Sequence, residues 1–140
     1  MFNSPFGNNN VISIDPDADV IFVADFFVED YAGGAEMTTE ALITSATDLN
    51  IQKLHASKVT MDLLRAGVEK HWIFGNFSSL VPDLIPTIIG NIDYSILEYD
   101  YKFCVYRSIE RHEHEANTPC DCSEQLHGKM ISAFFHVNNP

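Results

Sequence analysis

The sequence predicts an α/β fold, an open parallel sheet with helices on both faces, and three observations carry that expectation. Short apolar runs alternate with stretches of helical spacing. The first run, DVIFVADFF over residues 19–27, is apolar almost throughout rather than at every second position. Turn residues separate the successive segments. A continuous apolar run is the pattern of a strand buried on both faces, which belongs to a parallel sheet. Strand and helix in alternation then require parallel pairing through right-handed crossovers.

Residues 1–18 are rich in Asn, Asp, Pro and Ser without sustained period and read as a flexible lead-in, so the domain is expected over residues 19–140. After the first strand, VEDYAGGAE ends in Gly33 and Gly34, and MTTEALITSA can bring Met37, Ala41, Leu42 and Ser45 to one helical face. IQKLHAS (51–57) is placed as a second strand, and VTMDLLRAGVEK (59–70) as a helix with Thr60 near its start. WIFGNF (72–77) gives a third strand. Residues 81–92 carry Pro82, suited to a first helical turn, and Pro86, which would break an interior hydrogen bond, so a short or broken helix is expected. DYSILEYDYKFC (93–104) gives a fourth strand ending between Tyr99 and Cys104. The polar segment 105–128 reads as a long loop with about one helical turn. A final helix from about Ser123 would align Leu126, Met130, Ala133, Phe134 and Val137; a strand over 129–137 is the competing assignment. With no strand after that helix, the expectation is an incomplete, front-half domain.

Composition narrows the function. Twenty acidic against eight basic side chains give a formal charge of −12, and no Lys or Arg precedes Lys53. Such a chain offers no cationic surface for nonspecific nucleic-acid binding. The opening residues lack a basic start and an apolar run, and no stretch reaches the roughly 18 apolar residues of a spanning helix, so neither secretion nor membrane insertion is expected. Three cysteines are too few, and odd in number, for a disulfide framework; a cytoplasmic location is expected.

In an open parallel sheet, ligands bind beyond the carboxyl ends of the strands. The predicted ends supply Asp25, His55, Asn76, Glu98 and Asp100, with Gly33 and Gly34 over the same edge. Asp25 interrupts an apolar run, which suits a catalytic base or a loop-capping carboxylate. Gly33 and Gly34 allow close approach of backbone to a ligand before a helix N-terminus, or simply make a tight turn. Glu36 is a first-turn acid favoured by the helix dipole or a ligand hydroxyl acceptor. His55 serves as a structural residue or an acid–base group. Glu98 and Asp100, two apart on a strand, share a face; they can act as paired acid and base or bond to backbone, Lys102 and Arg107.

Cys104, His112, Cys120 and Cys122 are zinc-ligand types, and His114 and His127 share the segment. The one-residue gap between Cys120 and Cys122 is shorter than usual spacing, so a structural zinc knuckle stands against free thiols in a solvated loop.

DVIFVADFFVEDYAGGAEMTTEALI resembles the amino-terminal start of two-domain, Rossmann-like (B-type fold) glycosyltransferases, in which a strand leads to a Gly-Gly-x-Glu loop and a helix. KLHASKVT, WIFGNFSSL, YSILEYDYKFCVYRS and CDCSEQLHGKMISAFF resemble glycosyltransferases encoded by tailed, often marine, bacteriophages; a host-cytoplasm location follows if the chain is phage-encoded. The resemblance spans about residues 19–135. It implies sugar transfer from a nucleotide-sugar donor to an acceptor of unspecified identity, with no cofactor required for catalysis. Gly33, Gly34 and Glu36 match the family's loop. The family's donor-binding second domain has no counterpart here, so the chain alone is expected to be inactive. A noncatalytic, zinc-stabilised α/β binding module is the alternative. A small hydrolase using Asp25 and His55 is disfavoured by the lack of G-x-S-x-G.

Overall fold

The computed structural model describes residues 11–99, 102 and 104–138, with side chains described to residue 135. Four strands, β1 (Val20–Ala24), β2 (Ile51–His55), β3 (His71–Phe74) and β4 (Asp93–Ile96), form one sheet in the order β2-β1-β3-β4. Every neighbouring pair is parallel. All five residues of β1 are buried, as expected for a strand sandwiched on both faces.

Helices cover both faces. On one, Ile21, Val23, Trp72, Phe74 and Tyr94 pack under α2 (Met61–Ala66), α3 (Ile85–Asn91) and α5 (Leu126–Asn138), which contribute Leu64, Ile88 and Phe134. On the other, Phe22, Ala24 and Phe27 pack with Ile43 of α1 (Gly34–Ser45). The chain leaves β1 toward β2 on one side and returns to β3 on the other, so the sheet's topological switch point lies between β1 and β3.

Local chemistry fixes the element ends. The Thr60 side chain caps α2 by accepting from the Leu63 backbone N–H. Trp72 donates to the Gly67 carbonyl at 2.8 Å, and a Cβ on Gly67 would lie 2.8 Å from the indole, so glycine is needed where α2 ends. Pro82 opens a 3₁₀ turn (Pro82–Leu84), and Pro86 lies in the first turn of α3, where its missing N–H breaks no bond. Residues 11–18 run beside β2, with the Gln52 amide bonded to the backbone of Ser13 and Asp15; residues 1–10 lie outside the described residues.

Several expected details differ. The α1 face toward the sheet carries Thr39 and Ile43, while Met37 is 59% exposed and Ala41, Leu42 and Ser45 are also exposed. A polar contact drives this orientation: Thr39 Oγ1 and the Tyr99 hydroxyl lie 2.9 Å apart. Strand β4 stops at Ile96, so Glu98 lies in irregular chain beyond it rather than on the strand; Asp100 falls outside the described residues. The polar segment holds more helix than one turn: α4 (Ile109–Ala116) is capped by Ser108 at its start and ended by Asn117 at φ 54°. The last segment is helical, but it buries Ile131 and Phe134, leaving Leu126 75% exposed and Ala133 exposed; the Val137 side chain is outside the described set.

A four-donor cage and a cleft at the switch point

The loop after β4, α4 and the 3₁₀ turn Cys122–Glu124 bring Cys104, His112, Cys120 and Cys122 together, with their ligand atoms all within 4.8 Å of one another. Cys104 Sγ lies 3.8 Å from Cys120 Sγ, 3.9 Å from Cys122 Sγ and 3.5 Å from His112 Nδ1; Cys122 Sγ lies 3.3 Å from that nitrogen. Tetrahedral zinc with ordinary Zn–S and Zn–N bonds requires S···S edges of about 3.8 Å and S···N edges of about 3.6 Å. The cluster therefore has the spacing of a Cys3His cage. Cys104, Cys122 and His112 are buried, and Cys120 is half-buried. His114, two residues along α4 from His112, is exposed and lies outside the cluster, as is His127.

Burial pushes the Cys104 thiol up, but the Tyr106 backbone N–H, His112 and the Cys120 and Cys122 thiols outweigh it and bring it from 9.0 to about 7. For Cys120 the Cys122 backbone N–H lowers the pKa, yet burial and the Cys104 and Cys122 sulfurs together raise it above its ordinary value. One thiolate forms readily and opposes the next, the electrostatics of a site that a cation completes.

The rim of the sheet carries a separate feature. An open cleft of about 380 Å³ is lined by Asp25, Phe26, Glu36, Asn76, Ser78, Val105 and Arg107. Asp25 follows β1 and Asn76 follows β3, so the cleft sits at the switch point. Three of the expected site residues, Asp25, Glu36 and Asn76, therefore meet.

Their roles differ. Asp25 accepts from the Ser78 N–H at 2.8 Å, the Ser78 hydroxyl at 2.6 Å and the Ser79 N–H at 2.8 Å, which commits its carboxylate to holding the loop after β3. Asn76 Oδ1 is buried with no hydrogen-bond partner, while its backbone carbonyl accepts from the Asp25 N–H at 2.7 Å. Glu36 occupies the first turn of α1. A Cβ on Gly33 would lie 2.6 Å from Glu36 Oε2 and 2.7 Å from the Tyr31 ring; at Gly34 it would meet nothing within 4 Å. Gly33 thus lets the Glu36 carboxylate fold back over the loop, and Gly34 is open.

His55 lies apart from the cleft. Its Nε2 is 2.6 Å from Asp30 Oδ2 and its ring packs edge-on against Phe27 at 5.3 Å. Glu98 is exposed and outside the cleft lining. Residue-by-residue reading missed Phe26, Ser78 and Arg107 as part of the cleft; the neighbour of Asp25 and the serines following Asn76 were the available signals. Compared with protein-family models, curated proteins and solved structures, the chain matches none of them.

Proposed function

We propose that the chain is the acceptor-side half of a glycosyltransferase that uses a nucleotide-sugar donor, braced by one structural zinc ion held by Cys104, His112, Cys120 and Cys122. The observation that carries the reading is the composition of the switch-point cleft: Glu36, the unpartnered Asn76 Oδ1, Ser78 and Arg107 surround one cavity beside the 55% exposed ring of Phe26. Carboxylate and amide oxygens accept from sugar hydroxyls, an aromatic face supports the apolar side of a sugar ring, and a guanidinium pairs with phosphate oxygens. In the transfer, the acceptor hydroxyl oxygen bonds to the donor's anomeric carbon as the bond to the nucleoside diphosphate breaks, and Glu36 takes the hydroxyl proton. Asp25, committed to Ser78 and Ser79, positions the loop. Four protein donors close the zinc coordination sphere, as in structural sites.

The test is a titration with monosaccharides and nucleotide-sugars followed in ¹H–¹⁵N spectra. The Asn76 side-chain amide and the backbone of residues 33–36 should shift, and Asn76→Ala or Glu36→Gln should remove the response. Gly34→Asp, placed in open space, should fold normally and lose sugar binding, and transfer in a longer form of the chain that carries a donor-binding half. A cleft whose signals stay unchanged with every sugar, or full binding by Gly34→Asp, overturns the reading. A noncatalytic, metal-braced binding module is the second reading, favoured by the three hydrogen bonds that commit Asp25 to Ser78 and Ser79; saccharide binding with no response to any nucleotide-sugar, and no transfer even by a longer form of the chain that carries a donor-binding half, supports it.

A further inference from the structure

Strand β3 opens with His71 and strand β4 with Asp93, and the parallel register sets these two directly opposite each other. Ser95 lies two residues along β4, opposite Ile73, so Asp93, Ser95, His71 and Ile73 project from one face of the sheet. It is the face on which Phe22 packs with Ile43 of α1. Asp93 is exposed there and His71 and Ser95 are half-buried, so solvent reaches the group. His71 and Asp93 stand at the amino-terminal ends of their strands, away from the switch-point cleft at the carboxyl ends.

The imidazole is engaged at both nitrogens. Asp93 Oδ2 lies 2.9 Å from His71 Nδ1, and Ser95 Oγ lies 3.0 Å from Nε2. An ionised carboxylate only accepts, so Nδ1 carries the hydrogen; the neutral ring then has its lone pair at Nε2, and the Ser95 hydroxyl donates to it. Carboxylate, imidazole and hydroxyl in that order are the arrangement in which a histidine takes the proton of a serine while the carboxylate holds the ring. The Leu97 N–H donates to the Phe74 carbonyl at 2.9 Å, so alternate residues of β4, Ser95 among them, turn their backbone groups to β3. Ile96, next to Ser95, therefore turns its N–H to the outer edge of the sheet, where β4 is the last strand. Half-buried Ile73 and Leu97 flank Ser95 with aliphatic surface.

We propose that Ser95 is the nucleophile of a hydrolytic site for short-chain carboxylic esters, with His71 as its base and Asp93 as the positioning residue of His71. Ser95 Oγ bonds to the ester carbonyl carbon as its proton passes to His71 Nε2, and the Ile96 N–H serves the oxyanion that develops. Collapse breaks the bond to the ester's alkoxy oxygen, which leaves as the alcohol with the proton from His71. Water, giving a proton to His71, then attacks the acyl-serine; the carboxylic acid departs and the proton returns to Ser95 Oγ. An open face with two aliphatic neighbours suits acetyl and similar small acyl groups. The proposal uses no residue of the sugar-transfer reading and stands apart from it.

Treating the whole chain with a fluorophosphonate and mapping the product by peptide mass spectrometry tests it, together with hydrolysis of p-nitrophenyl acetate. The phosphonyl group should be found on Ser95, and Ser95→Ala should reduce hydrolysis to the rate of the denatured chain. His71→Ala should slow both labelling and hydrolysis roughly 100-fold. Asp93→Asn should lower kcat at least tenfold with KM unchanged, a split that a strand-pinning role would not produce. His71→Gln, which keeps a polar side chain between the strands, takes the place of His71→Ala if that variant fails to fold. No label on Ser95, undiminished hydrolysis by Ser95→Ala, or undiminished labelling of a folded His71 variant overturns the proposal and leaves the three side chains as a pin between β3 and β4. If neither His71 variant folds, wild-type labelling and Ser95→Ala decide it.

Discussion

Gly128→Ala tests the link between the cage and the sheet, because two opposing effects give opposite signs. Gly128 is the third residue of α5, and no glycine among the described residues has positive φ. On helix propensity alone, alanine should stabilise the chain by about 1 kcal/mol. The surroundings forbid it: a Cβ there would lie 2.6 Å from the Cys122 carbonyl carbon and 3.0 Å from Ser123 Cα, with the Cys122 carbonyl oxygen closer still. Carbon atoms pack at about 3.5–4.0 Å, so helix and turn must part by roughly 1 Å. Neither side yields freely. Cys122 belongs to the cage, and α5 is held by buried Ile131 and Phe134 and by the Tyr94 hydroxyl donating to the Phe134 carbonyl at 2.6 Å. Overpacking of this kind costs about 1–3 kcal/mol, which outweighs the propensity gain. Metal distances tolerate only about 0.2 Å, so zinc affinity should also fall at least tenfold. Urea unfolding of zinc-loaded protein and competition with a chromophoric chelator measure the two effects. A variant stabilised by the propensity term and unchanged in zinc affinity would refute both the packing and the cage.

Other outcomes follow from the same geometry. Chelating zinc from protein poised at about 1,000 times its Kd should cost about 4 kcal/mol of unfolding free energy; His112→Ala should abolish this response in urea melts, and exposed His114→Ala should leave it intact. Asp25→Ala removes the acceptor for three donors on Ser78 and Ser79 and should destabilise the fold by about 1–3 kcal/mol in the same melts, whereas an unchanged midpoint would deny it the loop-holding role. Asp30 is held below its ordinary 3.8 first by the Phe27 N–H and then by His55. With its folded pKa depressed, its contribution is present above about 3.8 and is lost as pH falls through the folded value. In a carboxyl NMR titration, His55→Ala should reduce the depression without abolishing it, and complete recovery of the ordinary value would contradict the dominance of the Phe27 N–H.

The parts of the fold that bury hydrocarbon were legible, and the parts anchored by polar atoms were not. DVIFVADFF announces β1 because burial on both faces leaves no polar alternation to read. Helix α4 escaped because IERHEHEA buries only His112, whose partners are thiols rather than a core. The α1 face was misread for a related reason: Thr39 turns toward the sheet to meet Tyr99, sixty residues away, and Met37 and Leu42 turn outward. The cage was half legible. Its four residue types were evident, but the short Cys120–Cys122 spacing counted against it; the chain entering the 3₁₀ turn Cys122–Glu124 nevertheless brings both sulfurs within 3.9 Å of Cys104 Sγ. Gly128 left one weak sign, a glycine within a helical apolar pattern, where it costs about 1 kcal/mol against alanine.

The cage also explains how scarce positive charge comes to line the cleft. Arg107 lies between Cys104 and His112, donates its N–H to the Cys104 carbonyl at 2.9 Å, and adopts φ 62°, a left-handed conformation unfavourable for a residue with a side chain. Such a backbone persists only where its surroundings over-determine it. Here Cys104 anchors the loop on one side and the Ser108 cap, with the Arg111 N–H bonded to its hydroxyl, starts α4 on the other. With both ends fixed around the four donors, the intervening residues have little freedom, and Arg107 reaches the wall of the polar cleft. A loop drawn in at Cys104 by the cage, rather than a strand end, therefore supplies the guanidinium, which is why the rule that assigns ligand contacts to strand termini found Asp25 and Asn76 but not Arg107.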